Sequence, residues 1–281
     1  MKKYVPLLLL LLTMACTLQL DEEATTATIS ERVQNDANMM ALMKRSHKFP
    51  FDSAALLVSD MLAIPALNKM AGSFAAGGTF PVELFRVSPD SSGIIFWYGF
   101  DPDKKEVFLA LEQLKNYDVY HLPTGPTGAT LIRSASTFTS AVTTPFDRAS
   151  VKSHLQNETI TNNEIEEIDN VTLRRHMNSF DSLLSTMPDN KGEKYNEYLF
   201  SFFHDSKDGT FEQFLSQAGK NGYVRYYFGY DEHDTPNRIR VILVAVDEQG
   251  KNITGTNAGG RTNSGDDGLT LQRSYPPPPI N

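Results

Sequence analysis

The 281-residue chain has one cysteine and one tryptophan. A lone cysteine closes no intramolecular disulfide and makes no metal site. Basic residues are also scarce: 26 Lys and Arg stand against 34 Asp and Glu, a formal net charge of −8. Lys2 and Lys3 are the only charges in the first fifteen residues, so residues 16–281 carry 24 basic and 34 acidic side chains, or −10. Nucleic-acid phosphates and anionic headgroups both need a basic face, so neither is an electrostatic partner. Long apolar runs are missing. Val5 to Leu12 is eight residues, where about 20 in a helix are needed to cross the bilayer core. Catalytic signatures are missing too. No His pair has His-Glu-x-x-His spacing, and there is no Gly-x-Ser-x-Gly elbow. Gly125-Pro-Thr-Gly128 has no Lys-Ser/Thr after it, so it is no phosphate loop. Nothing calls for a cofactor or a metal.

At 40% hydrophobic and 10% aromatic, the chain has enough apolar material for one or two ordinary cores. Met1-Lys2-Lys3 followed by the short leucine run reads as an export signal over residues 1–15. The sole cysteine, Cys16, follows directly. Leu12-Thr13-Met14-Ala15-Cys16 resembles the lipobox of bacterial lipoproteins, with the small residue in place at Ala15. Thr13 departs from the pattern, since the usual leucine sits one position earlier. The resemblance implies that Cys16 is lipidated and becomes the first residue, with the lipid bilayer as a partner. Several acyl chains anchor a protein stably where one is marginal. Residues 16–27 form a polar tether, and Asp21-Glu22-Glu23 resembles the acidic surface-export tag of Bacteroidota lipoproteins. The expected location is the outer membrane, on the cell surface or the periplasmic side.

Internal similarity is the other clear feature. Gly93-Ile-Ile-Phe-Trp-Tyr-Gly99-Phe-Asp101 recurs as Gly222-Tyr-Val-Arg-Tyr-Tyr-Phe-Gly229-Tyr-Asp231. Gly78-Thr79-Phe80 matches Gly209-Thr210-Phe211. Phe108 to Gln113 matches Leu243 to Gln249, and Gly128 to Ser134 matches Gly268 to Ser274. The matches keep their order along the chain, which points to a tandem duplication. Repeat unit 1 is placed at 28–142, a polar linker at 143–167, repeat unit 2 at 168–275 and a proline-rich tail at 276–281. The aromatic strand, Gly-x-Asp and apolar strand of each unit are similar to an element of small Bacteroidota lipoproteins, a likeness that carries no activity.

Each unit reads as α+β, helices packed on a small antiparallel sheet or hairpin. Thr28-x-x-Glu31 is a capping box for a helix carrying Val33, Ala37, Met40 and Met43. Asp52 or Ser53 caps a second helix with Leu56, Leu57, Met61 and Leu62, which Pro65 should stop. In the second unit, Asn170 caps a stripe of Leu173, Met177, Phe180 and Leu184, and Tyr195, Tyr198, Leu199 and Phe202 form a further helical stripe. Thr210-x-x-Gln213 opens a short helix that Gly219 ends. Ile94 to Tyr98, Val107 to Leu111, Tyr223 to Phe228 and Ile239 to Val246 are strands, joined by turn-rich segments. Their near-continuous apolar character implies cover on both sheet faces.

Candidate site residues come from the repeated strands. Trp97, Tyr223 and Tyr227 can stack on a sugar or peptide, with Arg225 assisting. Alternation places Tyr223, Arg225 and Tyr227 on one face. An unpaired arginine is costly to bury, so that face is expected to be exposed and to form a binding strip. The leading reading of the aromatics as a set nevertheless puts them in the core between sheet and helices, with the exposed strip as the candidate binding site. Asp101 and Asp231, equivalent in the two units, could meet a ligand or simply shape their turns. Consecutive residues such as Asp231-Glu232-His233-Asp234 splay outward rather than converge on a metal. The reading that results is a non-enzymatic, lipid-anchored envelope protein that binds a glycan, a peptide or an envelope protein. Two alternatives are an envelope hydrolase using paired carboxylates and a purely structural envelope protein.

Overall fold

Aromatic and β-branched side chains favour a pleated surface over a helix, and the two aromatic runs become central strands. In the computed structural model the described residues are 47–49, 51–64, 77–86, 91–115, 125–128, 130–134, 148–159, 165–187, 192, 195–196, 199–204, 210–232, 238–254 and 270–272. Cys16, the tether, the 28–43 helix and the proline tail lie outside them. The strands are β1 (His47–Phe49), β2 (Gly78–Pro81), β3 (Ser91–Asp101), β4 (Glu106–Lys115), β5 (Thr130–Ser134), β6 (Ile165–Asp169), β7 (Phe200–His204), β8 (Tyr223–Tyr230), β9 (Ile239–Val246) and β10 (Thr270–Gln272). The helices are α1 (Phe51–Ala63), α2 (Arg148–Asn157), α3 (Asn170–Ser185) and α4 (Thr210–Ala218), with a 3-10 turn over Val82–Phe85.

The fold is α+β, with two antiparallel five-stranded sheets ordered β1-β10-β9-β8-β2 and β6-β5-β4-β3-β7. Each is built around a hairpin and third strand from one half of the chain, β8-β9-β10 or β3-β4-β5. Two strands from the other half complete it. β2 pairs with β8 and β1 with β10, while β7 pairs with β3 and β6 with β5. The helices cross over likewise: Leu57 of α1 lies against β8, and Phe180 of α3 stacks on Tyr98 of β3. The described residues all belong to one compact unit, Ser46–Asn281.

The two halves therefore share both sheets. Repeat units 28–142 and 168–275 do not form separate bodies, because each sheet needs strands of both. The linker 143–167 is not plain connection either, since it contains α2 and the first residues of β6. From β1 and from β6 onward the described elements nevertheless run in a similar order, strand, helix, strand, a helical segment (the 3-10 turn in one half, the nine-residue α4 in the other), then three strands, while α2 has no counterpart in the first half. Three of the four sequence matches fall on corresponding strands: β3 with β8, β4 with β9, β5 with β10. The Gly-Thr-Phe match does not, since Gly78 to Phe80 is strand β2 and Thr210-Phe211 opens α4.

A central core lies between the sheets. It joins Ile94, Phe96, Tyr98, Leu109 and Leu111 of one to Val224, Tyr226, Phe228, Val241 and Leu243 of the other. Phe80 of β2 touches Phe96 and Tyr226 at centroid distances of 6.1 and 5.8 Å, so one ring bridges both sheets. A second cluster sits between the other face of β8-β9 and helices α1 and α2: Phe51, Ala55, Val58, Val151, Leu155, Tyr227, Ile242 and Val244. The sheets are thus covered on both faces where they are described, and every residue of β9 is buried. The glycines of the repeated motif belong to this cover. A methyl on Gly99 would overlap the Phe108 ring, and one on Gly229 would sit 2.6 Å from Ile242 Cδ1 and 3.0 Å from Leu57 Cβ.

Local signals shifted by small amounts. α1 ends at Ala63, two residues short of Pro65. The cap of α3 is Asp169 rather than Asn170, its carboxylate accepting the Thr172 backbone N–H at 2.9 Å. The stripe Leu173, Met177, Phe180 and Leu184 is buried. Of the expected helical stripe Tyr195, Tyr198, Leu199 and Phe202, Tyr198 lies outside the described residues and Phe202 falls in β7, because Phe203 and Phe200 are taken up beside Phe96 and Trp97. Gly219 ends α4 with φ +76°, a left-handed conformation that suits glycine.

Candidate functional site

Three of the buried polar clusters contain the charged side chains that bear on a site. In the first, Trp97 is fully buried in β3 and donates its Nε1–H to Glu112 Oε2 of β4 at 2.7 Å. Glu112 also accepts the backbone N–H groups of Thr127 (3.0 Å) and Gly128 (2.7 Å) and the Thr127 hydroxyl. The carboxylate therefore pins the 125–128 loop to the sheet, and Arg174 of α3 holds the same loop through the Pro126 carbonyl at 2.7 Å.

The second cluster surrounds Arg133 of β5. Its Nη1 bonds Asp101 Oδ2 at 3.2 Å and its Nη2 bonds Glu106 Oε2 at 3.1 Å, while Nε lies 3.4 Å from Glu166 Oε2. The guanidinium stands 4.2 Å above the Phe108 ring, and the buried His176 meets that ring edge-on. Asp101 also accepts the backbone N–H groups of Asp103 and Lys104, which shapes the β3-β4 turn. Burial alone would raise the Asp101 pKa, but the Lys104 N–H, Arg133, His176 and the Asp103 N–H outweigh it and hold the carboxyl below its ordinary value. Burial lowers the His176 pKa.

The third cluster lies where α2 meets β8. Arg225, 1% exposed, donates to Asn252 Oδ1 at 2.7 Å and to the Gly250 carbonyl at 3.1 Å. Asn252 Nδ2 donates to the Leu155 carbonyl at 2.7 Å and to the Tyr227 hydroxyl at 2.6 Å. Tyr227 in turn donates to Glu158 Oε2 at 2.9 Å. The Glu158 side chain is 8% exposed, and its Oε1 is 3.9 Å from Nε2 of the half-exposed His154. Burial pushes the Glu158 pKa up to about 7, against the pull of the Arg225 charge and the Tyr227 bond. Burial, and then the Arg225 charge, lower the His154 pKa.

The expected exposed strip is therefore overturned. Tyr223, Arg225 and Tyr227 do share a face, but α1 and α2 cover it, and Arg225 and Tyr227 are buried. The inference from arginine rested on its being unpaired. Two acceptors from the 250–252 turn remove that premise. Tyr223 is half-buried at the start of β8, opposite Val246. Trp97 and Tyr227 occupy different sheets, so the structure does not bring them together. Asp101 belongs to the Arg133 cluster, and Asp231, half-buried after β8, donates its backbone N–H to the Arg238 carbonyl. Sequence reasoning missed Glu112, Arg133, Glu158, His176 and Asn252. Their roles depend on contacts across 15 to 97 positions of chain, which no local pattern reveals.

Among the described residues no group of three or more His, Cys, Asp or Glu side chains could hold a metal ion, and no helix is long and apolar enough to cross a membrane. No protein-family model, curated protein or solved structure matches the chain.

Proposed function

We propose that this is a lipid-anchored protein of the bacterial cell envelope, held in the outer membrane through acylated Cys16, that acts by binding rather than by catalysis. The observation that carries the anchor is the position of the sole cysteine, directly behind the eight-residue apolar run and Ala15. The binding mode is supported by how the buried carboxylates are used. Glu112 takes donors from Trp97, Thr127 and Gly128, Asp101 and Glu106 are bound by Arg133, and Glu158 is bound by Tyr227. Each joins segments of the fold. A tandem duplication accounts for the collinear matches and for the parallel order of elements in the two halves. Its product is one interlocked body, with a glycan, a peptide or another envelope protein as the ligand class.

The anchor is tested by radiolabelled palmitate in cells producing the full chain. Label on the wild type and none on Cys16→Ser supports the reading, and label on both refutes it. Thermal unfolding with glycans, peptidoglycan fragments and peptides tests the binding mode. A ligand at about 100 times its Kd adds roughly 2.7 kcal/mol to stability. That raises the midpoint by several degrees. An activity on those same compounds would favour the hydrolase reading instead.

A further inference from the structure

The Glu158 cluster has more than a packing role. A carboxyl that is 8% exposed and receives one hydrogen bond from a neutral phenol is poorly compensated as an anion. It stands one residue beyond α2, where the chain connecting the two halves is stitched onto the first sheet. The stitch has three parts, Tyr227 to Glu158, Asn252 to the Leu155 carbonyl and the Thr159–Lys251 bridge, and Arg225 holds Asn252 in place for it. We propose that Glu158 is a proton-operated clasp: with its proton in place it seals the C-terminal end of α2 onto β8, and loss of that proton loosens this end of the helix.

The groups around it fix the direction of the effect. From β8 come Arg225 and Tyr227, and from the turn after β9 come Asn252 and the backbone of Lys251. From α2 comes His154, while Lys152 on that helix is paired with Asp52 of α1 at 2.6 Å. Arg225 is the charge that favours ionised Glu158; its guanidinium also serves Asn252, the Gly250 carbonyl and Tyr227, and burial of the carboxyl outweighs its pull. An acid with a raised pKa stabilises the closed form fully below its unfolded value of 4.5 and loses that contribution as pH rises to about 7. His154, with a lowered pKa, acts in the opposite sense, favouring the closed form above 6.5 and loosening it as pH falls further.

Hydrogen exchange of the α2 amides in the full chain tests this between pH 5 and 8, corrected for the intrinsic rate. His154→Asn is used to remove the opposing titration. The open fraction at residues 151–157 should rise steeply from pH 5 to 7, at most about tenfold per unit, and level off above 7. Glu158→Gln mimics the protonated acid and should flatten the profile. A flat profile in His154→Asn overturns the clasp, and so does a slope that survives in Glu158→Gln. The first of these outcomes needs no substitution at the clasp itself.

Discussion

Ile242→Ala tests the interlocking of the two halves. Ile242 is fully buried in β9, in the cluster between β8-β9 and helices α1 and α2, beside Gly229. It belongs to the second half of the chain. The only tryptophan, Trp97, belongs to the first half and lies in the other sheet. Truncating a buried isoleucine to alanine removes apolar contacts and leaves a cavity, at about 2–5 kcal/mol. For a body of 150–250 residues each kcal/mol lowers Tm by about 2–4 °C, so the expected drop is about 4–20 °C. Trp97 fluorescence reports one sheet, and far-UV circular dichroism reports the whole body. Because β2, α1 and β7 cross between the halves, both signals should fall together and by the same amount. An unshifted Trp97 midpoint, with part of the dichroism lost at lower temperature, would show two independent domains and refute the exchanged arrangement.

Two further substitutions probe the buried ionic groups. Glu112→Ala leaves the Trp97 indole N–H and two backbone N–H groups without their acceptor. It should cost about 1–3 kcal/mol and shift the Trp97 emission as the 125–128 loop comes free. Unchanged emission and stability would show that the carboxylate is dispensable. Arg133→Met strips the cation from Asp101 and Glu106 and should destabilise by about 3–5 kcal/mol. Adding Asp101→Asn should restore part of that loss, and a strictly additive double variant would argue that the two side chains do not interact.

Much of the local structure was legible. Period-3.6 spacing located α1 and the buried stripe of α3, and dense aromatic runs located β3 and β8. The Tyr195 to Phe202 stripe misled because a short aromatic stretch satisfies a helical spacing and a strand equally well, and pairing beside β3 decided between them. The binding strip misled for a different reason. Alternation correctly assigned Tyr223, Arg225 and Tyr227 to one face, but whether that face meets water depends on α1, α2 and the 250–252 turn. None of these is a neighbour in sequence.

The chain's own residues therefore determined its element types, the parallel order of its two halves, the acidic balance and the single cysteine behind an apolar run. These follow from composition and short-range spacing, which act within a few residues. Tertiary structure alone decided which strands pair. A strand edge is satisfied by any edge of matching register and apolar face, so β2 and β7 could complete the sheet of either half, and they complete the opposite one. The same step set the fate of the charged residues. Tyr227 and Glu158, 69 positions apart, meet only when α2 closes over β8, and that closure turns a candidate surface strip into a buried polar clasp.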